Sequence, residues 1–230
     1  MVDKSDVNRN TPELSVVIPV FNEEDNLPEL FKRTIAACDA LQTSYEIITV
    51  DDGSSDTSVE LIRKAIKENP GKVTGVILST NFGQHAAVMA GLEISRGKYV
   101  VTMDADLQNP PEEIGKLLHC LRNGYDVVGT IRENRQDTFF RKTASKLVNL
   151  MVRSLCHGKT MQDYGCMLRG YSRPIVNALL LCKEQGKFIP MLAMKALLPL
   201  LPSSCLAGAS AFATTPGANL YLRPPSLQPE

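Results

Sequence analysis

Five short runs of β-branched and other apolar residues alternate with segments of helical periodicity in the first 130 residues. The predicted strands are 14–20, 45–50, 73–78, 99–103 and 126–130. Between them, apolar residues recur every three or four positions, as in 27–41, which is typical of amphipathic helices. Strands joined through helices pair in parallel, because each helix returns the chain to the same end of the sheet. The sequence therefore predicts an α/β fold, with a mostly parallel, Rossmann-like sheet and helices on both faces.

Composition fits one sizeable globular domain and excludes some classes of partner. The chain has 230 residues, and Lys+Arg and Asp+Glu number 25 each, for a formal net charge of +0. Nothing in this balance indicates a nucleic-acid-binding protein. The six cysteines are scattered without a C-x-x-C pair, which fits a reducing compartment. The first residues are polar and charged, so we expect a polar tail over 1–13 and no signal peptide.

Polar loops follow three of the predicted strands, at 21–25, 51–56 and 104–108. In a parallel sheet these loops share the carboxyl edge, where α/β proteins bind ligands. They bring together five acidic residues: Glu23, Asp51, Asp52, Asp104 and Asp106. So many carboxylates repel one another unless a metal ion or hydrogen-bond donors compensate. The loops therefore predict a metal-dependent nucleotide site, although some of their acids can instead cap helices, as we expect of Asp56.

Asp104 and Asp106 stand one residue apart, directly after a predicted strand. Alternate residues of an extended chain point the same way, so both can bind one cation. Hard oxygen ligands that leave room for phosphates suit Mg²⁺ or Mn²⁺. The alternative is a solvated turn, where Asp is common. The chain has neither a G-x-G-x-x-G after its first strand nor a P-loop, so a classical dinucleotide fold is not expected.

Five motifs appear in the order typical of a known family. They are Ser15-Val-Val-Ile-Pro-Val-Phe-Asn-Glu23, Val50-Asp-Asp-Gly-Ser54, Asn81-Phe-Gly-Gln84, Asp104-Ala-Asp-Leu-Gln-Asn-Pro-Pro-Glu112 and Asp126-Val-Val-Gly-Thr-Ile-Arg132. The set resembles the inverting family-two glycosyltransferases of GT-A fold that use polyprenyl phosphates, one branch of which is the dolichol-phosphate mannose synthases. Residues 135–146 and 163–169 more closely resemble the undecaprenyl-phosphate 4-deoxy-4-formamido-L-arabinose transferases. The resemblance predicts one glycosyltransferase domain over 14–190.

The resemblance also implies roles for individual residues. The nucleotide-sugar pocket would contain Pro19, Phe21, Glu23, Val50, Asp52, Asp104, Ala105 and Arg132. Asp106 and Gln108 would hold Mg²⁺ or Mn²⁺, and Asp163 and Arg169 would belong to the acceptor and catalytic side. Because a phosphate-monoester acceptor is already largely ionised near neutral pH, we expect Asp163 to position the acceptor rather than act as a strong base. Without the motif context, Arg132 and Arg169 would be expected at the solvated surface.

The implied reaction is metal-dependent transfer of a sugar from a UDP-sugar to undecaprenyl phosphate, with 4-deoxy-4-formamido-L-arabinose as the candidate sugar, as in lipid A modification. It would take place at the cytoplasmic face of the inner membrane. One alternative is a nucleotide-sugar-binding remnant without turnover. Another is a sugar nucleotidyltransferase, whose chemistry usually needs a basic Gly-rich loop near the N-terminus, absent here. A homo-oligomer is compatible with the sequence.

The segment 139–155 is a candidate for contact with a membrane surface. Its apolar residues recur at helical spacing, while Lys142, Lys146 and Arg153 fall on the opposite side of the helix. Such a basic amphipathic helix can lie in an anionic membrane surface, or it can pack on the core with its basic face in solvent. Because the expected acceptor is a lipid, we favour the interpretation that this helix lies in the membrane surface.

The sequence departs from the resembled family at two places. Thr80 stands where relatives usually carry an arginine, which removes one potential phosphate contact. Residues 191–230 stand where relatives continue with a basic segment and membrane helices. They carry no charge over 196–222 but are interrupted by prolines, which disfavour a membrane helix. We therefore expect a weakly ordered tail, truncated or frame-shifted, and a peripheral association with the membrane.

Overall fold

The computed structural model describes residues 11–130, 167–181 and 219–222. In this part of the chain, seven strands form one sheet. They are Leu14–Val20 (β1), Tyr45–Asp51 (β2), Val73–Ile77 (β3), Tyr99–Thr102 (β4), Val127–Thr130 (β5), Arg169–Ser172 (β6) and Asn219–Leu222 (β7). The five strands predicted from the sequence, β1 to β5, are confirmed to within a residue or two at each end.

The sheet is mixed, with the order β3-β2-β1-β4-β6-β5-β7. β1 lies in parallel between β2 and β4, and its first residue, Leu14, is aligned with Tyr45 and Tyr99. β6 runs antiparallel to both of its neighbours, β4 and β5, and β7 runs antiparallel to β5. Strands β1 to β5 therefore all point the same way, so that their carboxyl ends share one edge of the sheet.

Helices cover both faces of the sheet, as the sequence predicts. They are Leu27–Ala40 (α1), Ser58–Glu68 (α2), Gln84–Ile94 (α3), Ile114–Arg122 (α4) and Arg173–Leu181 (α5). One core lies under α1, α2 and α4, and the second lies under α3 and α5. The helix predicted to follow Pro110 begins as a 3-10 turn, Pro111–Glu113, and continues as α4.

β1 shows why this sequence builds a sheet covered on both faces. All seven of its residues are buried. Val16 and Ile18 face the first core, and Val17 faces the second. A strand with both faces covered needs an apolar residue at nearly every position, because neither side of its pleat meets water. Each such side chain, fully buried, contributes about 1.5 to 3 kcal/mol.

Two strands were not predicted. β6, with the sequence Arg-Gly-Tyr-Ser, lacks the apolar alternation of a half-buried strand. β7 lies in the segment 191–230, where a weakly ordered tail was expected. The structure describes only 219–222 of that segment, as a strand paired with β5. The order of the remaining tail residues stays a prediction.

Several predictions concern residues outside the described ranges. Arg132, Asp163 and the amphipathic segment 139–155 belong to this group, so their roles remain predictions. In the ranges that the structure does describe, no helix has both the length and the apolar character needed to cross a bilayer.

Candidate active site

A pocket of about 470 Å³ opens at the carboxyl edge of the sheet. Its described walls come from the ends of β1, β2 and β4 and from the start of α3, so the loops predicted to converge do meet here. The described residues that form the pocket walls are Pro19, Val20, Phe21, Glu23, Asp52, Asn81, Gly83, Gln84, Asp104, Ala105 and Asp106. No Lys or Arg is among these lining residues. The described part of the pocket is therefore acidic.

The first loop, residues 21–26 after β1, is hydrogen-bonded to the second loop, residues 52–57 after β2. The Asn22 N–H donates to Ser54 Oγ at 2.9 Å, and Asn22 Oδ1 accepts the Ser55 N–H at 2.8 Å. Glu24 Oε2 accepts from Thr57 through both its N–H, at 3.0 Å, and its hydroxyl, at 2.7 Å. These bonds from Thr57 lower the pKa of the Glu24 carboxyl. The polar residues of the two loops thus brace one wall of the pocket.

Glu23 and Asp56 lie in the same braced loops but have different surroundings. Glu23 lines the pocket, and its Oε2 accepts from Asn26 Nδ2 at 2.7 Å. Asp56 accepts the Ser58 N–H at 3.0 Å and the Glu24 N–H at 3.1 Å. Burial raises the pKa of Asp56, but the hydrogen bonds from Ser58 and Glu24 outweigh it and lower that pKa. Asp56 therefore binds the first N–H of α2, as a capping residue does, although the N-cap position itself is Thr57.

Asp52 joins the second loop to the third loop, residues 78–83. Its side chain is 2% exposed, and its two oxygens accept the N–H groups of Phe82 and Gly83, each at 2.8 Å. A Cβ at Gly53 would stand 2.7 Å from the Asn81 nitrogen, so the two loops touch through their backbones. Asp52 thus holds a pocket loop in place. Its implied contact with a base stays a prediction.

The fourth loop, residues 103–110, presents Asp104 and Asp106 on one wall of the pocket, with the buried Ala105 between them. Asp104 Oδ1 accepts from Gln84 Nε2 at 2.6 Å, and Asp106 Oδ1 accepts the Gln108 N–H at 3.0 Å. Leu107 has φ +57°, an uncommon left-handed conformation for leucine, which turns the chain sharply between Asp106 and Gln108. The Gln108 side chain is exposed.

These acids fit a metal ion that is held together with a ligand. The described residues contain no group of three or more His, Cys, Asp or Glu side chains arranged to hold a metal. Mg²⁺, however, is often bound by one or two carboxylates together with substrate phosphates. Asp104 and Asp106 are only half-buried and face the pocket, so they can supply that smaller share of ligands.

Val50 and Arg169 are both buried, and neither is among the described residues that line the pocket. Val50 is fully buried in the core under α3, so its implied contact with a base stays a prediction. Arg169 begins β6 beside Thr102, the last residue of β4, and is 1% exposed. The alternative that Arg169 is a solvated surface residue is therefore wrong. Burial raises the pKa of nearby Tyr171, and the Arg169 charge only partly opposes this.

Four further residues line the pocket, although no role was predicted for them: Val20, Asn81, Gly83 and Gln84. Asn81, Gly83 and Gln84 belong to a motif that carried the family resemblance. This motif follows β3, whose carboxyl end shares the edge with those of β1, β2 and β4. The position of the motif after a parallel strand was thus the signal that could have placed it in the site.

Comparisons with known sequences agree with this geometry. A family model described as glycosyl transferase family 2 matches residues 15–180. The undecaprenyl-phosphate 4-deoxy-4-formamido-L-arabinose transferase of Aeromonas hydrophila is 58% identical over 180 residues, which cover 78% of this chain and 55% of the relative. The transferase of the same name from Yersinia pestis is 53% identical over 187 residues, covering 81% and 57%. The chain therefore spans little more than half the length of these relatives.

Solved structures support the fold. The mannosyltransferase PcManGT from Pyrobaculum calidifontis, in complex with GDP-Man and Mn²⁺, has a TM-score of 0.52 and 19% identity, covering 74% of this chain and 47% of its own. Glucosyl-3-phosphoglycerate synthase from Mycobacterium tuberculosis, with Mn²⁺, UDP and glucosyl-3-phosphoglycerate, has a TM-score of 0.56 and 19% identity, covering 73% and 59%. At these identities the likeness is one of fold, which is the GT-A, Rossmann-like α/β fold. Since the family model matches most of the chain, the protein belongs to glycosyl transferase family 2.

Proposed function

We propose that this chain binds a UDP-sugar together with Mg²⁺ or Mn²⁺ and transfers the sugar to a polyprenyl phosphate. The observation that supports this most is an acidic pocket, formed by family motifs at the carboxyl edge of the sheet, in a chain 58% identical to an undecaprenyl-phosphate transferase. The name of the same relative makes 4-deoxy-4-formamido-L-arabinose the candidate sugar and undecaprenyl phosphate the candidate acceptor. Lipid A modification is the purpose that the resemblance in the sequence implies.

The donor would occupy the pocket between the first and fourth loops. Phe21, 46% exposed on the pocket wall, offers an apolar surface to the nucleotide. Asp104 would lie near the ribose and diphosphate, and Asp106 and Gln108 would hold the metal. A divalent cation held there would act as a Lewis acid that neutralises charge on the leaving group. Two solved relatives of this fold carry Mn²⁺ beside a nucleotide, which supports a metal here.

The acceptor side needs positioning more than proton transfer. A polyprenyl phosphate is largely ionised near neutral pH, because the second pKa of a phosphate monoester is about 6. Asp163 and Arg169 are therefore proposed to orient the acceptor rather than to generate a nucleophile. For Arg169 this role would be indirect, since the side chain is buried at the start of β6, next to the end of β4. Arg132 is proposed to contact phosphate.

The decisive experiment is a product analysis. The purified chain is incubated with Mn²⁺, undecaprenyl phosphate and candidate UDP-sugars, and the lipid extract is examined by mass spectrometry. A glycolipid of the expected mass supports the proposal and identifies the sugar. UDP binding without a glycolipid would favour a nucleotide-sugar-binding protein without turnover. A nucleotide sugar formed from a nucleoside triphosphate and a sugar phosphate would favour the nucleotidyltransferase alternative.

The proposed site of action is the cytoplasmic face of the inner membrane, with peripheral attachment through the segment 139–155. Replacing Lys142, Lys146 and Arg153 with glutamine should reduce binding to anionic vesicles. Added salt should reduce the binding of the wild-type chain, because surface charges are screened over about 8 Å at physiological ionic strength. Binding that depends neither on salt nor on these three residues would indicate that the segment packs on the core instead.

A further inference from the structure

Gln84 is the first residue of α3, and the backbone before it is fixed. Asp52 accepts the N–H groups of Phe82 and Gly83 through its two oxygens, each at 2.8 Å. Gly83 is the N-cap residue of α3 and has φ +92°, a conformation that L side chains rarely adopt. The backbone conformation at the start of α3 is therefore defined. Asp52 of the second loop, by binding Phe82 and Gly83, determines the position from which the Gln84 side chain extends.

The Gln84 side chain reaches from the start of α3 to the fourth loop. Its Nε2 donates to Asp104 Oδ1 at 2.6 Å, although the two residues are 20 positions apart in the chain. Both side chains line the pocket, and Gln84 is exposed. Because both side chains lie at the pocket, this hydrogen bond does not serve to pair a polar group buried in the core. Its effect is to orient a carboxylate at the pocket wall.

A neutral donor has a specific advantage at this position. An amide N–H fixes one carboxylate oxygen without adding positive charge, whereas Lys or Arg would neutralise the carboxylate and compete with a cation. This bond restricts the rotation of the Asp104 carboxylate and itself adds no positive charge to it. An aspartate ordered before the ligand arrives does not lose that conformational freedom on binding, so the affinity for the ligand is higher.

We propose that Gln84 is a positioning residue of the donor site, which preorganises the Asp104 carboxylate for the ribose and metal-bound diphosphate of a nucleotide sugar. This inference rests on the proposed function, because it specifies how the same pocket recognises its donor. Gln84 acts through Asp104, so its effect on binding requires the Asp104 carboxylate.

The test is a double-mutant cycle on UDP binding in the presence of Mn²⁺, followed by NMR titration, which registers weak binding. Gln84→Met keeps the side-chain length but removes the donor, and it should weaken binding about fivefold to tenfold. In an Asp104→Ala background the same change should alter binding less than about twofold, since the partner is gone. Glu93→Met, exposed near the far end of α3, is the matched control and should leave binding unchanged.

Two results would overturn the proposal. Undiminished binding by Gln84→Met would exclude any role in the donor site. Equal losses in both backgrounds would mean that Gln84 contacts the ligand directly and not through Asp104.

A second measurement needs no ligand and separates this inference from the proposed function. The side-chain amide resonance of Gln84 should shift in the Asp104→Ala variant and stay in place in the Asp106→Ala variant. No shift in Asp104→Ala would refute the hydrogen bond itself. A shift, combined with no UDP binding by the wild-type chain, would refute the proposed function and the role in donor binding, while the contact between the two side chains stands.

Discussion

Acidic residues lie at both edges of the sheet, but the groups that donate hydrogen bonds to them differ. At the amino edge, Glu46 accepts from a guanidinium: Arg96 Nη2 donates to its Oε2 at 2.8 Å. At the carboxyl edge, the acids of the pocket wall accept from neutral amides. Glu23 accepts from the Asn26 side chain, and Asp104 from the Gln84 side chain. A guanidinium neutralises the carboxylate that it fixes, whereas an amide fixes it and leaves its charge in place.

At the amino edge, Glu46 and the residues around it form a hydrogen-bond network. Glu46 is 4% exposed and accepts from Ser15 Oγ and from the Arg96 N–H, each at 2.7 Å. Arg173 Nε donates to the Gly97 carbonyl at 2.8 Å and so fastens α5 to the same corner. Burial raises the pKa of Glu46, but the hydrogen bonds from Arg96 and Ser15 outweigh it, so that this pKa is lowered. The Glu46 charge therefore contributes to the stability of the fold, and it is paired with the Arg96 guanidinium.

The carboxyl edge differs because its charges face a pocket. Asp104 and Asp106 lie on one wall, where Asp104 accepts from Gln84 Nε2 and Asp106 from the Gln108 N–H. The structural carboxylate Glu46 is buried in an ion pair, whereas Asp104 and Asp106, the carboxylates proposed to meet a cation and its ligand, are half-buried and line a pocket. It follows that substitutions at the amino edge should change stability, and substitutions at the carboxyl edge should change binding.

The largest effect is expected from Glu46→Ala. This substitution leaves the Ser15 hydroxyl and the Arg96 guanidinium without their acceptor, and urea denaturation should show a loss of about 2 to 3 kcal/mol. Breaking a wholly buried ion pair costs about 3 to 5 kcal/mol. The loss is smaller here because the Arg96 side chain is 63% exposed and can be hydrated. Glu68→Ala, in an exposed pair on α2, should change stability little. A comparably small loss for Glu46→Ala would contradict the structural role of the amino edge.

Gly53→Ala tests whether the pocket depends on the close approach of two loops. Gly53 has φ +74°, and a Cβ there would stand 2.7 Å from the Asn81 nitrogen. Gly71 has φ +79°, but nothing lies within 4 Å of an added Cβ. Both alanine variants should lose about 1 kcal/mol to backbone strain. Gly53→Ala should lose about 1 kcal/mol more and should also weaken UDP binding, since it displaces the third loop. Equal behaviour of the two variants in denaturation and calorimetry would show that this contact is dispensable.

Asp106→Asn should separate binding from stability. It preserves the shape of the side chain but removes its charge, so calorimetry should show Mn²⁺-dependent UDP binding weakened about tenfold, equivalent to about 1.4 kcal/mol. Its urea midpoint should stay close to that of the wild type, because Asp106 is half-buried and an asparagine oxygen can still accept the Gln108 N–H. Asp56→Asn, outside the pocket lining, should bind UDP nearly as well as the wild type. Metal dependence equal in the wild type and Asp106→Asn would remove Asp106 from the metal site.

The parallel part of the fold could be predicted because its strands have a strong local pattern. β1 needs apolar residues on both faces, and its limits, Leu14 and Val20, match the prediction. β6 could not be predicted, because it joins the sheet through long-range pairing: Gly170 lies opposite Val101 of β4 and Val128 of β5. A Cβ at Gly170 would stand 2.9 Å from Leu121 Cδ1, so this position depends on packing against α4 and not on strand propensity.

The convergence of the loops at one edge was predicted, but the contacts between them were not. Strand ends and motifs placed Phe21, Glu23 and Asp104 at one edge, and the pocket contains all three. Which atom binds which depends on side-chain direction and on loop conformation, and sequence spacing specifies neither. The bonds from the third loop to Asp52 and from Gln84 to Asp104 span 20 to 31 positions, and only the folded chain brings these groups together.

The smallest effect concerns a second ion pair that involves the amino end of β1. Glu13 accepts from Arg122 Nε at 2.8 Å and from Arg122 Nη2 at 2.9 Å. These bonds, together with one from Thr43, lower the pKa of Glu13 from 4.5 to about 2. A carboxyl with a lowered pKa in the folded state stabilises the fold above its unfolded pKa, and this contribution is lost as the pH falls from 4.5 toward 2. Because the pair is partly exposed, the contribution should be under about 1 kcal/mol.

Glu13→Gln should therefore lower stability slightly at pH 7 and make the stability curve flatter between pH 4.5 and 2, as measured by urea denaturation across this range. Glu60→Gln, exposed on α2, is the control and should leave the shape of the curve unchanged. UDP binding at pH 7 should be unaffected in both variants, since Glu13 lies at the opposite edge of the sheet from the pocket. A loss of UDP binding in Glu13→Gln would mean that the two edges are coupled through β1, and the separation of structural from ligand-binding carboxylates would then fail.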